Sequence, residues 1–161
     1  MSSSFDFDQL QSFSAGTIGP PGQRVFFLQA ASTGEIVSLR LEKQLVAALA
    51  DAFEVAIANY DVIEGDGRGN ETMEPLQMHV VAEWVVGGLG VAYDPAERKI
   101  VVMAEELTDA DDPAKARFCL DRRLLIAFTH GARAVLDAGR PTCPLCDRPV
   151  DPDGHFCPRM N

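Results

Sequence analysis

The sequence predicts an α+β protein made of a duplicated β-β-β-α unit with pseudo-twofold symmetry, followed by a C-terminal zinc knuckle. Three observations predict it. The same succession of strand, turn, strand and helix signals is read twice along the chain, in one order. Each succession ends in an apolar stripe at helical spacing. Three of the four cysteines and one of the three histidines crowd into the last residues, where the composition changes. The expected body is residues 1–139, with repeat one at about 13–58 and repeat two at about 84–138, and the knuckle is residues 140–161.

Each repeat opens on a segment ending Gly-x-aliphatic-Gly. Phe13-Ser14-Ala15-Gly16-Thr17-Ile18-Gly19 matches Trp84-Val85-Val86-Gly87-Gly88-Leu89-Gly90, and each is expected to end a strand. Pro20-Pro21-Gly22-Gln23 and Asp94-Pro95-Ala96-Glu97 then supply turn residues. Arg24 to Ala30 matches Lys99 to Glu105; both runs are β-branched or aromatic and read as buried strands. Ser32-Thr33-Gly34 turns the first half into a third strand, where Val37, Leu39 and Leu41 alternate with Ser38 and Arg40. The second half reaches its third strand through an acidic loop, Thr108 to Lys115.

A helix closes each half. Leu41, Leu45, Leu49, Phe53 and Ile57 recur every four residues, and Leu120, Leu124, Phe128, Ala132 and Leu136 do the same. Asp121 is the expected N-cap of the second helix, and Gly139-Arg140-Pro141 its stop. Between the halves, Glu64 to Glu71 is glycine-rich and charged and reads as a mobile surface loop. It lacks the ligand spacing of an EF-hand. Met78 to Trp84 reads as the strand entering the second half.

With 161 residues, 47% hydrophobic and 24% charged, the chain can bury one ordinary core. Its net charge of −10 repels phosphate backbones and sets nucleic acid at a disadvantage. The N-terminal residues carry neither a basic region nor an apolar core, and no apolar run is long enough to span a bilayer. A cytosolic protein without a membrane is the expectation. In that reducing compartment clustered cysteines indicate metal or catalysis before disulfides.

The candidate metal ligands are Cys143, Cys146, His155 and Cys157. A Cys-x-x-Cys pair suits a tight turn that aims two thiolates at one ion. His155 and Cys157, at i and i+2 of an extended strand, point to one side and can complete a tetrahedron. With four protein donors no position remains for water, so the expected zinc is structural. The tail is too poor in apolar residues to fold by itself, and metal binding would supply that free energy. Other readings of the same residues are a redox Cys-x-x-Cys, a Cys143–Cys146 disulfide, or His155 as a turn residue with Asp153 or a later residue as fourth ligand.

Two function classes follow. The first is a non-enzymatic zinc-binding adaptor with a protein partner, met through the knuckle and through Arg140, Arg148 and Arg159. No Ser-His-Asp order, phosphate-cradling loop or His-Glu-x-x-His is present. The second is a small-ligand binder or enzyme using Gly16, Gly19, Gln23, Arg24, Gly87 and Gly90, whose loop amides could hold an anion. Cys119, His79 and His130 read as packing or surface residues.

Gly16 to Ala30, Leu41-Glu42-Lys43-Gln44, and Cys143-Pro144-Leu145-Cys146 with Gly154-His155-Phe156-Cys157-Pro158-Arg159 together resemble an uncharacterised actinobacterial family of unknown function. Its members are described as repeat proteins with a C-terminal Cys-x-x-Cys and His-x-Cys motif. The resemblance covers nearly the whole chain and implies no activity. It implies genes lying near those for a kinase-like and a histidine-phosphatase-like protein, and a tail that commonly continues a few residues beyond Cys-Pro-Arg.

Overall fold

The computed structural model describes residues 1–20, 22–61, 63–65, 71–77, 79–138, 143–148, 150 and 154–160. Several sequence expectations fall outside these residues: Pro21 of the first turn, Asp66 to Asn70 of the linker, Met78, the helix stop at Gly139-Arg140-Pro141, and Asp153.

Among the described residues the protein is mixed α+β, with two helices and two sheets. The order is β1 (Phe5–Phe7), β2 (Ser12–Ile18), β3 (Val25–Ser32), β4 (Glu35–Leu41), α1 (Lys43–Asn59), β5 (Val86–Asp94), β6 (Lys99–Glu106), β7 (Lys115–Leu120) and α2 (Arg122–Asp137). One sheet is the antiparallel meander β2-β3-β4. The other runs β1-β7-β6-β5, with β1 parallel to β7. The two meet where Arg40 of β4 bridges Val85 and its N–H donates to the Trp84 carbonyl at 3.1 Å.

Local chemistry explains the turns. Gln23 N–H donates to the Pro20 carbonyl at 2.9 Å, and Gly19 takes a positive φ of 112° there. Thr33-Gly34 closes the next hairpin in two residues, since Ser32 pairs with Glu35. The Asp94 carboxylate accepts from Ala96 N–H at 2.9 Å and Glu97 N–H at 3.2 Å, which folds the β5–β6 turn. Asp121 caps α2, as its spacing predicts, by accepting from Leu124 N–H at 2.9 Å. Asp121→Ala is expected to cost about 0.5–2 kcal/mol, read as a lowered midpoint in urea at unchanged slope.

Strand alternation sorts the core. In β6, Ile100, Val102 and Ala104 are buried while Met103 and Glu105 face out. Val37, Leu39 and Leu41 of β4 and Ala116, Phe118 and Leu120 of β7 are buried likewise, although Ser38 and Cys119 between them are buried as well. Onto this floor the helices press Val46, Leu49 and Phe53, and Leu125, Phe128 and Ala132. Phe13 sits at the centre, with ring centroids 5.4 Å from Phe118, 5.3 Å from Phe128 and 6.2 Å from Phe53.

Several expectations are corrected. Leu41 and Leu120, which fit both the third strand and the helical stripe, belong to the strands, where Leu41 pairs Phe26 and Leu120 pairs Ile100. Residues 79–84 are irregular rather than a strand, since His79 at φ 62° breaks the extended run; β5 begins only at Val86. Gly87 is therefore the unpaired residue of a bulge between Val86 and Gly88, and Gly90 pairs Met103 inside β5; neither ends a strand. Hairpin registers also separate the two glycine segments. Ile18 pairs Val25 and Asp94 pairs Lys99 at the hairpin ends, so Gly16 stands two residues before its hairpin end and its match Gly87 seven. Strand β1 has no counterpart in the sequence reading.

Of the loop expected to be mobile, the described residue Glu64 is held; Asp66 to Asn70 lie outside the described residues. Glu64 N–H donates to the Arg98 carbonyl and the Glu64 carbonyl accepts from Arg122 N–H, each at 2.7 Å. Further on, Met73 occupies the space a Cβ would need at Gly131, and Leu76 does so at Gly16. Ala15 N–H, on the open edge of β2, donates to the Met73 sulfur at 3.4 Å.

Candidate metal centre

The tail begins as a tight turn. Asp147 N–H donates to the Cys143 carbonyl at 3.0 Å, and Cys143 N–H donates to the Arg148 carbonyl at 2.8 Å. Asp147 takes the left-handed φ of 57° that lets the chain double back directly after Cys146. The N–H groups of Leu145 and Cys146 point at the Cys143 sulfur and hold its thiol below the usual range. On the return, Gly154 turns at φ 92°, and Met160 N–H donates to the Cys157 carbonyl at 3.2 Å.

These two turns bring four donor atoms together. One atom each from Cys143, Cys146, His155 and Cys157 lies within 4.8 Å of every other. Cys143 Sγ and Cys157 Sγ are 3.9 Å apart, and Cys146 Sγ is 3.4 Å from His155 Nε2. A disulfide needs about 2.05 Å, so these sulfurs are not bonded; all four cysteines are free. The separations match the edges of a tetrahedron around one ion. Metal–sulfur bonds of about 2.3 Å give sulfur–sulfur edges of about 3.8 Å.

The electrostatics agree. An amide from Arg159 favours the Cys157 thiolate, but burial and the neighbouring sulfurs of Cys146 and Cys143 outweigh it, and that thiol is pushed up. Three sulfurs this close repel one another as thiolates; a cation at their centre reverses the sign of that interaction. The four residues could therefore hold one metal ion. Among the described residues no other histidine, cysteine and carboxylate group has this arrangement.

The four residues named from the sequence are thus the ones that sit close enough together to hold an ion. The sequence reading did not anticipate Asp147, whose position immediately after Cys-x-x-Cys was the available signal. Of the alternatives, the disulfide is not formed, and His155 is brought into the cluster rather than left in the turn.

The glycine segments are placed differently. Gly16 lines a cavity of about 440 Å³ with Thr17, Met73, Leu76 and His79. Gly90 lines another, of about 320 Å³, with Gly88, Met103, Glu105 and Lys115. Gly19, Gln23, Arg24 and Gly87 line neither. Gly87 packs on Leu107, and Arg24 reaches the Ala138 carbonyl at 3.5 Å. The segments are not drawn into one cleft. Cys119 is buried, and burial raises its thiol pKa, which makes it a poor nucleophile. His79 and His130 are exposed.

A family model described as a protein of unknown function (DUF3090) matches residues 5–157, from β1 to the last of the four donors. The chain belongs to the DUF3090 family. This agrees with the resemblance read from the glycine, Leu-Glu-Lys-Gln and Cys/His segments. The whole DUF3090 match includes both the α+β body and the cluster, so the two are parts of one family pattern. No curated protein matches the chain. Among the described residues of this DUF3090 protein, no helix is long and apolar enough to cross a membrane.

Proposed function

We propose that this DUF3090 protein is a non-enzymatic interaction protein of the cytoplasm whose C-terminal knuckle is braced by one structural zinc ion. One observation carries the reading: four protein donors converge on one centre, with edges of 3.9 and 3.4 Å. Three sulfurs and one imidazole favour zinc among the common divalent ions, and four protein ligands leave no open position for a reacting water. Once the ligands turn inward, the residues between them turn out. Between them Leu145 is 47% exposed and Phe156 80%, beside exposed Arg148, and just after Cys157 stand exposed Arg159 and Met160, the latter 73% exposed. Aromatic and arginine side chains are the usual anchors of protein interfaces. A net charge of −10 weighs against nucleic acid as that partner.

We also infer that the body descended from a duplication. Support comes from the recurring three-strand meander and helix, each meander ending in a ladder pair, Phe26 with Leu41 and Ile100 with Leu120, directly before its helix. The small-ligand reading of the glycine segments has less support, because they border separate cavities.

Zinc measured on protein purified without chelator is expected at one ion per chain. A pull-down with intact protein, set beside one with Cys143→Ser and Cys157→Ser, is expected to lose its partners together with zinc. Absence of stoichiometric zinc would overturn the brace. An unchanged set of partners would leave the knuckle as a brace and move the contact surface to the body.

A further inference from the structure

The three knuckle sulfurs differ in exposure. Cys143 and Cys157 are 5% and 4% exposed, whereas Cys146 is half-buried and shares its side of the cluster with His155. Cys119, the remaining thiol, is 3% exposed in the body and far in sequence from the cluster. The described part of the knuckle also has little to hold it besides an ion: among the described residues, none after Leu136 belongs to the hydrophobic core cluster. Whatever removes the ion removes the tail's fold.

We propose that the cluster is a redox-released clasp, in which a peroxide-class oxidant takes the Cys146 sulfur, Cys143 closes a disulfide with it, and the metal and the folded tail are lost together. This rests on the zinc reading above. The chemistry balances in two steps. The Cys146 thiolate attacks one peroxide oxygen; the O–O bond breaks, Cys146 becomes a sulfenic acid, and hydroxide leaves. The Cys143 thiolate then attacks the Cys146 sulfur, the S–O bond breaks, and a second hydroxide leaves. Two sulfurs have given one electron each, and the peroxide has accepted both. The metal changes no oxidation state. It keeps only Cys157 and His155 of its four ligands and dissociates. Cys143 resolves the sulfenic acid because the turn that bonds Asp147 N–H to the Cys143 carbonyl keeps the two sulfurs of Cys-x-x-Cys on one side, within 4.8 Å. Thiol reductant and zinc reverse the sequence.

The test uses the full chain, loaded with zinc and kept free of air. Zinc content is measured first, and a preparation without stoichiometric zinc defeats the zinc reading before the oxidant is involved. Hydrogen peroxide is then added at about one equivalent. Released zinc is followed with a colorimetric chelator, and thiols are mapped by alkylation and mass spectrometry. The expected result is release of the ion, a Cys143–Cys146 disulfide, reduced Cys119, and recovery on adding thiol reductant and zinc. Cys146→Asp keeps a fourth ligand while deleting the accessible sulfur; it is expected to bind zinc and to release it at least about tenfold more slowly under peroxide. Zinc retained under peroxide, release with Cys146 still reduced, a disulfide that uses Cys157, or oxidation at Cys119 first would each overturn the clasp. If the aspartate variant fails to load zinc, the product map of the unmodified chain decides alone.

Discussion

Replacing Cys143 with serine is expected to strip the protein of its ion and unfold residues 143–160 while the α+β body stays folded. The size of the effect follows from what the ion replaces. Structural zinc sites in small peptides supply roughly 10–16 kcal/mol of apparent binding free energy near neutral pH, and that binding is their folding free energy. Among the described residues of the tail, the buried side chains are two of the candidate ligands themselves, Cys143 and Cys157. With one donor gone, the remaining sulfurs and His155 have no common partner, and a few backbone hydrogen bonds, such as Asp147 to Cys143, cannot offset the ordering entropy of the segment. Elemental analysis should show the metal falling from one ion per chain to a small fraction. In amide NMR spectra the resonances of the tail should collapse toward random-coil positions, and those of β2 to β4 should stay in place. Acid should act in the same direction. Bound ligands are deprotonated, so falling pH favours the free, protonated form and releases the ion. A tail that keeps its dispersed resonances without metal would show that something other than an ion holds it.

What the sequence disclosed and what it hid divide along the range of the interactions. The Cys/His cluster was legible because ligand chemistry is local: Cys-x-x-Cys and His-x-Cys each place two possible ligands within a few residues, and only the joining of the two turns is long-range. Asp121 was legible for the same reason, since a cap acts within one turn of its helix. Strand β1 was not. Phe5-Asp6-Phe7 is too short to show a period, and its strand character comes from pairing with Ala116 to Phe118, more than 100 residues away in the chain. The linker misled because Glu64 and Gly65 have the composition of a loose loop, while the hydrogen bonds that hold Glu64 come from Arg98 and Arg122. The glycines at 87–90 misled in register. Their resemblance to Gly16 and Gly19 is one of composition, and the ladder, set by the Asp94 turn, assigns them to the beginning of a longer strand. Leu41 and Leu120 fit the helical stripe by spacing and still belong to strands, because burial alone does not distinguish the two periods at an element boundary.

The body should fail independently of the knuckle, and Phe13→Ala is expected to show it. Phe13 is 1% exposed and touches rings from β7, α1 and α2, so one side chain from the edge strand β2 ties three other elements. Removing the ring takes away its transfer free energy and leaves a cavity that Phe53, Phe118 and Phe128 cannot fill, since each is fixed by its own backbone element. Phenylalanine-to-alanine changes in cores cost about 3–5 kcal/mol, and the lost aromatic contacts place this site toward the upper end. For a chain of this size that is a fall in melting temperature of about 6–20 °C. Phe13→Leu, which keeps much of the volume, is expected to cost about 1–2 kcal/mol. Neither variant should change the zinc content of the folded protein, because no donor belongs to the core cluster around Phe13. Calorimetry beside metal analysis separates the cases. Loss of zinc in Phe13→Ala at a temperature where the body is still folded would mean that the knuckle draws its shape from the body, and that the ion alone does not account for the tail.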